Sequence, residues 1–359
     1  MKILHETILH VDLQKLETNF FSFKKRLNHN CKIICVIKAF AYGHGDVEIA
    51  KKLEKLGVDG FWVADFEEGV SLRKAGIIKP IIIANPSIRI HNEIHDYNLD
   101  IVIHNNYLLQ YYLEKTQTIN AHIKFNVGMN RYGFDESQIK LVVNKIMDNN
   151  NIKIKSICSH LSSSEKGLEY QSNINQLLKF KKIAADFENI LGKKVEKHIL
   201  NSNGIIYFPE HQYDMVRIGI GLYGSNIDNR ITPISSFYSV ISDIKNINKG
   251  DSVGYSISYI SNHDMQIAIV PVGYADGLNR KFGNKVGSVY VSGSECKIIG
   301  NISMDSFMID ITNISCKIGD HVEIFGENIT VNDLANKIDT IPYEIYSTLN
   351  RRIKRVYVD

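Results

Sequence analysis

A lysine ends an apolar run close to the start of the chain. Residues 31–45 read CKIICVIKAFAYGHG, so the run IICVI leads directly to Lys38 and then to a segment with two glycines. An ammonium group at the end of a buried strand is unfavourable unless it is paired, neutralised or covalently modified. The position of Lys38 therefore predicts a chemical task for this lysine. The glycines that follow are expected to turn the backbone away from it.

Other polar side chains stand at comparable positions, where short apolar runs end. Each one alone is most simply a surface residue, but together they supply amine, imidazole, guanidinium and hydroxyl groups. If the runs are parallel strands, their carboxyl ends meet at one edge, and the group predicts a ligand site. The set is Lys38, Lys124, Asn126, His160, Asn201, Ser202, Arg217 and Gly219.

The elements that position these side chains follow an alternating pattern. Between residue 12 and about residue 225, short runs rich in Ile and Val alternate with longer amphipathic stretches, which predicts parallel strands joined by helices. Eight strands with outer helices predict an α/β fold, a (β/α)8 TIM-type barrel with its active site at the carboxyl ends of the strands. The predicted strands are 33–38, 60–64, 80–84, 100–103, 121–126, 154–159, 197–201 and 214–218.

Two segments at the ends of the last two strands predict a phosphate site. They read LNSNG (200–204) and RIGIGLYG (217–224), and barrels often bind phosphate there through backbone N–H groups. A phosphate site together with a lysine suggests pyridoxal phosphate, whose aldehyde a lysine holds as a Schiff base.

The pattern changes at about residue 230 to β-branched alternation with turn signals, which predicts a mostly β C-terminal domain. Two short helices are expected in it, at 331–338 and 343–349. We predict a barrel domain at 1–228 and a β domain at 229–359.

Composition excludes several classes of protein. The net charge of +3 is too small and too dispersed to favour nucleic acid as a partner, and the cluster RRIKR (351–355) is interpreted as a solvated strand or tail. The absence of a signal peptide and of a long apolar run argues against export or a membrane location. Five cysteines without a CxxC pair suggest a reduced, cytoplasmic setting.

The motif VIKAFAYGHG resembles the pyridoxal-phosphate attachment motif of alanine racemases, and the resemblance extends over the whole chain. It implies a fold type III barrel, a β domain joined by the first strand at about 7–11, and a head-to-tail homodimer with shared active sites. The other matching segments are HVDLQKLETNF, GMNRYGF, CSHLSSSE, NSNG, MVRIGIGLYG, VGYS, VPVGYADGL, NISMDS and IPYEI.

The resemblance implies two catalytic bases, which racemisation requires because the α-proton leaves one face and returns to the other. Lys38 would hold the cofactor and take the proton from D-alanine, and Tyr255 of the neighbouring subunit would serve L-alanine. A free tyrosine has a pKa near 10, so it needs help; His160 would contact Tyr255. Arg131 would lie near the cofactor and the substrate carboxylate.

The resemblance also implies the groups that hold the cofactor and the substrate. Arg217 would face the ring nitrogen, where most pyridoxal enzymes have a carboxylate; a guanidinium cannot accept that proton, which damps the electron sink and discourages transamination. The other implied cofactor ligands are Tyr42, His198, Asn201, Ser202, Gly219, Ile220 and Tyr343, and the substrate pocket would contain Tyr274, Met304 and Asp305.

Four positions bear on how closely the family pattern is followed. Many relatives have Asp in place of Asn126, Gly in place of Asn130 and Cys in place of Ser303. Lys124 stands where some members carry a carbamylated lysine that bridges to the active-site arginine, so carbamylation here is an open question.

Three alternatives remain beside an alanine racemase that supplies D-alanine for peptidoglycan. The first is a broader amino-acid racemase that also accepts serine. The second is a fold type III amino-acid decarboxylase, although members of that group pair the ring nitrogen with a carboxylate. The third is a non-catalytic carrier of pyridoxal phosphate, against which the β domain with Tyr255 argues.

Overall fold

The computed structural model describes residues 6–225, 228 and 230–359, which form two compact units. We call Glu17–Ala41 and Asp46–Leu222 the barrel unit. The β unit consists of the described residues up to Leu16, with Tyr42–Gly45 and Tyr223–Asp359.

The barrel unit is built on eight parallel strands. Strand β1 (Ile8–Asp12) belongs to the β unit; the barrel strands are β2 (Lys32–Val36), β3 (Gly60–Val63), β4 (Ile81–Ile83), β5 (Asp100–Ile103), β6 (Ile119–Lys124), β7 (Ile152–Cys158), β8 (Glu196–His198) and β9 (Met215–Ile218). Their order in the sheet is β8-β7-β6-β5-β4-β3-β2-β9. Backbone hydrogen bonds from Asp214 N–H to the Lys197 carbonyl (3.2 Å) and from Arg217 N–H to the Leu200 carbonyl (3.0 Å) join its two edges. The sheet is therefore nearly closed.

Amphipathic helices connect these strands. In the helix Ile139–Met147 the buried residues are Ile139, Val142, Val143 and Ile146, the spacing that places one apolar face against the sheet. The helices from the N-terminus to the end of the barrel unit are Leu13–Lys24, Asp46–Lys55, Phe66–Lys74, His91–Asp96, Asn106–Leu113, Ile139–Met147, Gln171–Leu191, Ser202–Tyr207 and Ile220–Tyr223.

The β unit contains a nine-stranded sheet in the order β11-β14-β17-β16-β15-β18-β10-β1-β19. In it β1 pairs antiparallel with β10 and parallel with β19. The further strands of this sheet are β10 (Ser235–Val240), β11 (Asp243–Ile247), β14 (Met265–Val270), β15 (Ser288–Val291), β16 (Ser294–Ile299), β17 (Phe307–Asp310), β18 (His321–Phe325) and β19 (Lys354–Val358). The β unit also contains a two-stranded sheet of β12 (Ser252–Val253) and β13 (Tyr259–Ile260), and helices at Val331–Lys337 and Pro342–Ser347.

The predicted fold class is confirmed, and all eight predicted barrel strands are present. The interpretation of RRIKR as a solvated segment is wrong for Arg355, which is buried and donates to the carbonyls of Gly43, Leu349, Asn350 and Ile353. Among the described residues, no helix is long and apolar enough to cross a membrane.

Candidate active site

Lys38 lies two residues beyond the end of β2, not within the strand as predicted. It begins a turn in which Ala39, Phe40, Ala41 and Tyr42 all have φ between 52° and 57°. Left-handed backbone costs an L-residue with a side chain roughly 1–2 kcal/mol. Four residues with side chains therefore make the first part of the turn, and Gly43 and Gly45, with φ of 81° and 99°, continue it.

Glu68 holds the first part of this turn. Its carboxylate accepts the N–H of Ala39 (2.6 Å) through Oε1 and the N–H of Ala64, at the end of β3, through Oε2 (2.7 Å). Burial raises the pKa of Glu68. Sequence analysis did not identify Glu68, because an acidic residue in the first turn of a helix usually has no role beyond the helix dipole.

Neighbouring cations lower the pKa of two lysines in the barrel unit. Burial, and then the charge of Arg131, lower the pKa of Lys38, whereas Glu68 raises it. Burial lowers the pKa of Lys124 to about 8, and the charges of Arg217, Arg131 and Lys38 act in the same direction. Such mutual repulsion is relieved by a bound anion, so this cluster favours a ligand that carries phosphate or carboxylate.

Arg217 extends from β9 into a buried set of acceptors. Its Nη2 donates to the carbonyls of Ser159 (2.6 Å) and Ile199 (3.2 Å) and lies 3.1 Å from Nδ1 of His160. Its Nη1 donates to Nδ1 of His198. Burial lowers the pKa of Arg217 to about 10, which leaves the guanidinium charged at neutral pH.

The two histidines beside Arg217 are neutral. A guanidinium only donates hydrogen bonds, so Nδ1 of His160 and of His198 must each offer a lone pair. Burial, and then the charge of Arg217, hold the pKa of both imidazoles well below the usual value. Each ring therefore carries its proton on Nε2.

The predicted phosphate segments form a cradle around Ser202. Its Oγ accepts the N–H groups of Gly219 (3.0 Å) and Gly221 (3.2 Å), so its own hydroxyl hydrogen is left to donate. A Cβ on Gly221 would stand 2.4 Å from the ring of Phe23. Asn201 caps the helix that begins at Ser202 by accepting the N–H of Gly204 (2.9 Å).

Two asparagines hold the loop that carries Arg131. Asn126 Oδ1 accepts the N–H groups of Gly128 (3.0 Å) and Asn130 (3.1 Å), and Asn126 Nδ2 donates to Asn130 Oδ1 (2.9 Å). Asn130 has φ of 54°. Asparagine tolerates this backbone better than other non-glycine residues, so Asn130 suits this position.

In the β unit, three tyrosines form one cluster. Tyr42 is buried and stacks on Tyr223 with a centroid distance of 4.7 Å, and Tyr343 lies 5.9 Å from Tyr42. Two of these are the predicted phosphate ligands Tyr42 and Tyr343.

Backbone hydrogen bonds join two turns of the β unit that carry predicted substrate residues. Tyr274 N–H donates to the Ser303 carbonyl (3.1 Å), and Ala275 N–H donates to the Met304 carbonyl (3.0 Å). Ser303 Oγ accepts the N–H of Ser306 (3.0 Å) and stabilises the second turn. The side chains of Tyr274 and Met304 are exposed.

An arginine that sequence analysis placed on the surface joins the same two turns. Arg352 donates to both carboxylate oxygens of Asp276 (2.6 and 3.0 Å) and to Asp305 (2.7 Å). Asp276 also accepts the N–H of Gly273 (2.8 Å). The predicted substrate residue Asp305 is thereby held by an ion pair.

The predicted second base lies on an exposed turn of the β unit. The side chain of Tyr255 is 71% exposed, and it lies between Gly254 and Ser256, which both have positive φ. Asn301 Nδ2 donates to the Tyr255 carbonyl (3.1 Å) and fixes the backbone of this turn.

Comparison with protein families accounts for nearly the whole chain. The model for the N-terminal domain of alanine racemase matches residues 11–227, and that for the C-terminal domain matches residues 234–357. The chain is 37% identical to an alanine racemase of Thermodesulfovibrio yellowstonii, over 97% of this chain and 96% of that protein. It is 34% identical to one of Halothermothrix orenii, over 99% and 98%.

Solved structures agree with this result. The alanine racemase of Clostridium difficile 630 has a TM-score of 0.92 at 30% identity, over 99% of this chain and 97% of that chain. The alanine racemase of Bartonella henselae, solved with covalently bound pyridoxal phosphate, has a TM-score of 0.89 at 27% identity, over 98% and 99%.

Proposed function

This chain belongs to the alanine racemase family, and we propose how its residues carry out the reaction. It is a pyridoxal-phosphate-dependent racemase that interconverts L-alanine and D-alanine. The cofactor supplies the electron sink that acidifies the α-proton of the amino acid. The observation that carries the assignment of the site is the cluster of Lys38, Lys124, Arg131 and Arg217.

The residues present fit this cofactor. A phosphate needs hydrogen-bond donors, which the Ser202 cradle offers, and the aldehyde needs an amine whose pKa is lowered, which Lys38 offers. In the barrel unit the proposed ligands are Lys38, His198, Asn201, Ser202, Arg217, Gly219 and Ile220, and in the β unit they are Tyr42 and Tyr343.

Two bases would move the proton. A lowered pKa gives Lys38 a larger neutral fraction at neutral pH, which suits it to take the α-proton of D-alanine. Tyr255 of a second copy would do the same for L-alanine. Because His160 is neutral and carries its remaining proton on Nε2, it can donate a hydrogen bond to the oxygen of that tyrosine and favour its ionised form.

The remaining groups would orient the reactants. Arg131 and the backbone N–H of Met304 would hold the substrate carboxylate, while Tyr274 and Asp305 line the pocket. Arg217 would face the ring nitrogen and leave it without a proton, because a guanidinium only donates.

A homodimer would complete each site. The support is the exposure of Tyr255 together with that of Ile257, on the same turn, and of Ile260, on the following strand β13, since neighbouring exposed apolar side chains mark interaction surfaces. We further propose that the enzyme works in the cytoplasm, in keeping with its five free cysteines, and supplies D-alanine for peptidoglycan.

Lys124 is the residue at which we propose carbamylation. An amine with a pKa of about 8 is partly neutral at physiological pH and can add to carbon dioxide. The resulting negative charge would offset Arg131 and Arg217. Carbon-13 NMR of enzyme equilibrated with labelled bicarbonate should show a carbamate signal that Lys124→Gln lacks.

The decisive experiment is racemisation by purified enzyme with pyridoxal phosphate. L-alanine should give D-alanine, with serine turned over more slowly or not at all. Carbon dioxide release would indicate a decarboxylase, and cofactor binding without turnover would indicate a carrier.

The roles of the two bases can be separated in heavy water. Tyr255→Phe should stop exchange of the α-proton of L-alanine and preserve exchange with D-alanine, because Lys38 still serves that face. Mixing inactive Tyr255→Phe and Lys38→Ala enzymes should restore part of the activity if sites are shared between subunits. Retained exchange of L-alanine in Tyr255→Phe would exclude this tyrosine as the second base.

A further inference from the structure

A row of polar side chains that ends at Arg217 crosses the interior of the barrel. It takes one residue from each of five adjacent strands: Asp100 from β5, His122 from β6, Ser156 from β7, His198 from β8 and Arg217 from β9. All five are at most 5% exposed. Barrel interiors are normally filled by branched apolar side chains, so a polar layer that spans five strands requires an explanation.

The side chains form a continuous series of contacts. His198 Nε2 lies 2.9 Å from Ser156 Oγ, and Ser156 Oγ lies 2.6 Å from His122 Nδ1. His122 and Ser156 are also direct partners in the pairing of β6 with β7. The other ring nitrogen of His122, Nε2, lies 3.7 Å from Asp100 Oδ2, which is longer than a hydrogen bond but close enough for the dipole of a neutral N–H to stabilise the carboxylate.

The guanidinium fixes the direction of the first hydrogen bonds in the series. Arg217 only donates, so His198 Nδ1 accepts and His198 Nε2 carries the proton. Ser156 Oγ then accepts from His198, which leaves its own hydrogen able to donate to His122 Nδ1. In that arrangement His122 carries its proton on Nε2, the nitrogen that faces Asp100.

The charge of Asp100, at the other end of the row from Arg217, is consistent with these hydrogen-bond directions. Burial alone would raise the pKa of Asp100, but His122 and then Asn120 lower it, so Asp100 is an anion. Asn120 Nδ2 donates to Asp100 Oδ1 (2.8 Å) and fixes the carboxylate. A buried anion and a buried cation thus stand at opposite ends of one oriented series.

We propose that Asp100, His122 and Ser156 are positioning residues that hold His198 in the tautomer that Arg217 requires, and so fix the guanidinium against the ring nitrogen of the cofactor. This inference rests on the proposed placement of Arg217 at that nitrogen. The three residues do not reach the cofactor themselves; they act through His198.

The protonation pattern can be measured on the cofactor-free enzyme. Nitrogen-15 NMR of histidine-labelled protein should show His122 and His198 neutral and protonated on Nε2. In Asp100→Asn, which preserves the size of the side chain, an amide donor can face His122 and move its proton to Nδ1. A wild-type His122 or His198 that is protonated on Nδ1 would overturn the proposal, and this test needs no variant to fold.

The consequence for the cofactor is measured as reaction specificity in the holoenzyme. When Arg217 is released from its fixed position, the ratio of transamination to racemisation should rise about tenfold, which is the factor one buried hydrogen bond is worth. We expect this rise in Ser156→Ala and Asp100→Asn. Ser239→Ala is the matched control, because Ser239 is a buried serine of the β unit that pairs with Thr7 (2.9 Å); its ratio should equal that of the wild type.

Arg217→Lys separates this proposal from the one it rests on. If Arg217→Lys raises the ratio and Ser156→Ala and Asp100→Asn do not, the positioning role is wrong while Arg217 retains its place. If Arg217→Lys leaves the ratio unchanged, Arg217 does not act on the ring nitrogen and both proposals fall.

Discussion

Replacement of Asn130 tests how the loop after β6 presents Arg131. Left-handed backbone disfavours alanine by roughly 1–2 kcal/mol. The lost hydrogen bond from Asn126 is worth about 0.5 kcal/mol because it is exposed to solvent. Asn130→Ala should therefore weaken the loop by about 2 kcal/mol. Asn130→Gly loses the same hydrogen bond but relieves the backbone, so the two effects nearly cancel.

The assay is kcat/KM for both enantiomers of alanine. If the ordered loop is needed to hold the substrate carboxylate, about 2 kcal/mol corresponds to a loss of about 30-fold in Asn130→Ala, with Asn130→Gly within about threefold of the wild type. Equal values of kcat/KM in the two variants would refute the reasoning, because they differ mainly in tolerance of a positive φ.

Two further predictions concern the turns of the β unit and the pH dependence of stability. A lysine in place of Arg352 cannot reach Asp276 and Asp305 at once. In Arg352→Lys we therefore expect KM for alanine to rise several-fold with kcat preserved, and Tm to fall by about 2–4 °C. A fall in kcat alone would contradict this prediction. Because the pKa values of His160 and His198 are lowered in the folded state, the unfolded chain binds their protons first as pH falls below about 6.5. The free energy of unfolding should then decrease by up to about 1.4 kcal/mol per pH unit for each histidine. Urea denaturation between pH 7.5 and 5.5 measures this change. Equal stability across that range would exclude neutral buried imidazoles.

The barrel could be predicted because its strands are short β-branched runs separated by amphipathic helices, signals that are local in the sequence. Arg217 was recognisable for the same reason, as a lone cation within an apolar run. The turn after Lys38 could not be predicted, since alanine and phenylalanine carry no sequence signal for left-handed backbone. Tertiary contacts such as those of Glu68 impose this backbone conformation.

Contacts between distant segments of the chain could not be predicted from the sequence either. Asp100, His122 and Ser156 each look like ordinary polar residues of a strand, and they meet because neighbouring strands align them in one layer of the barrel. Arg352 looked solvated because nothing in a cluster of basic residues shows which of them will find carboxylates.

Strand β1 lies in its sheet between β10 and β19, and this arrangement sets an order of events during synthesis. The ribosome makes β1 first and β19 last, so β1 must wait for a neighbour that appears about 350 residues later, on the order of tens of seconds at roughly 5–20 residues per second. Until then the edge of β1 that pairs with β19 stays open, and an open strand edge is the kind of surface that recruits other chains. The polar and charged residues within and beside it, His10, Asp12 and Lys15, give the nascent chain some protection during this interval.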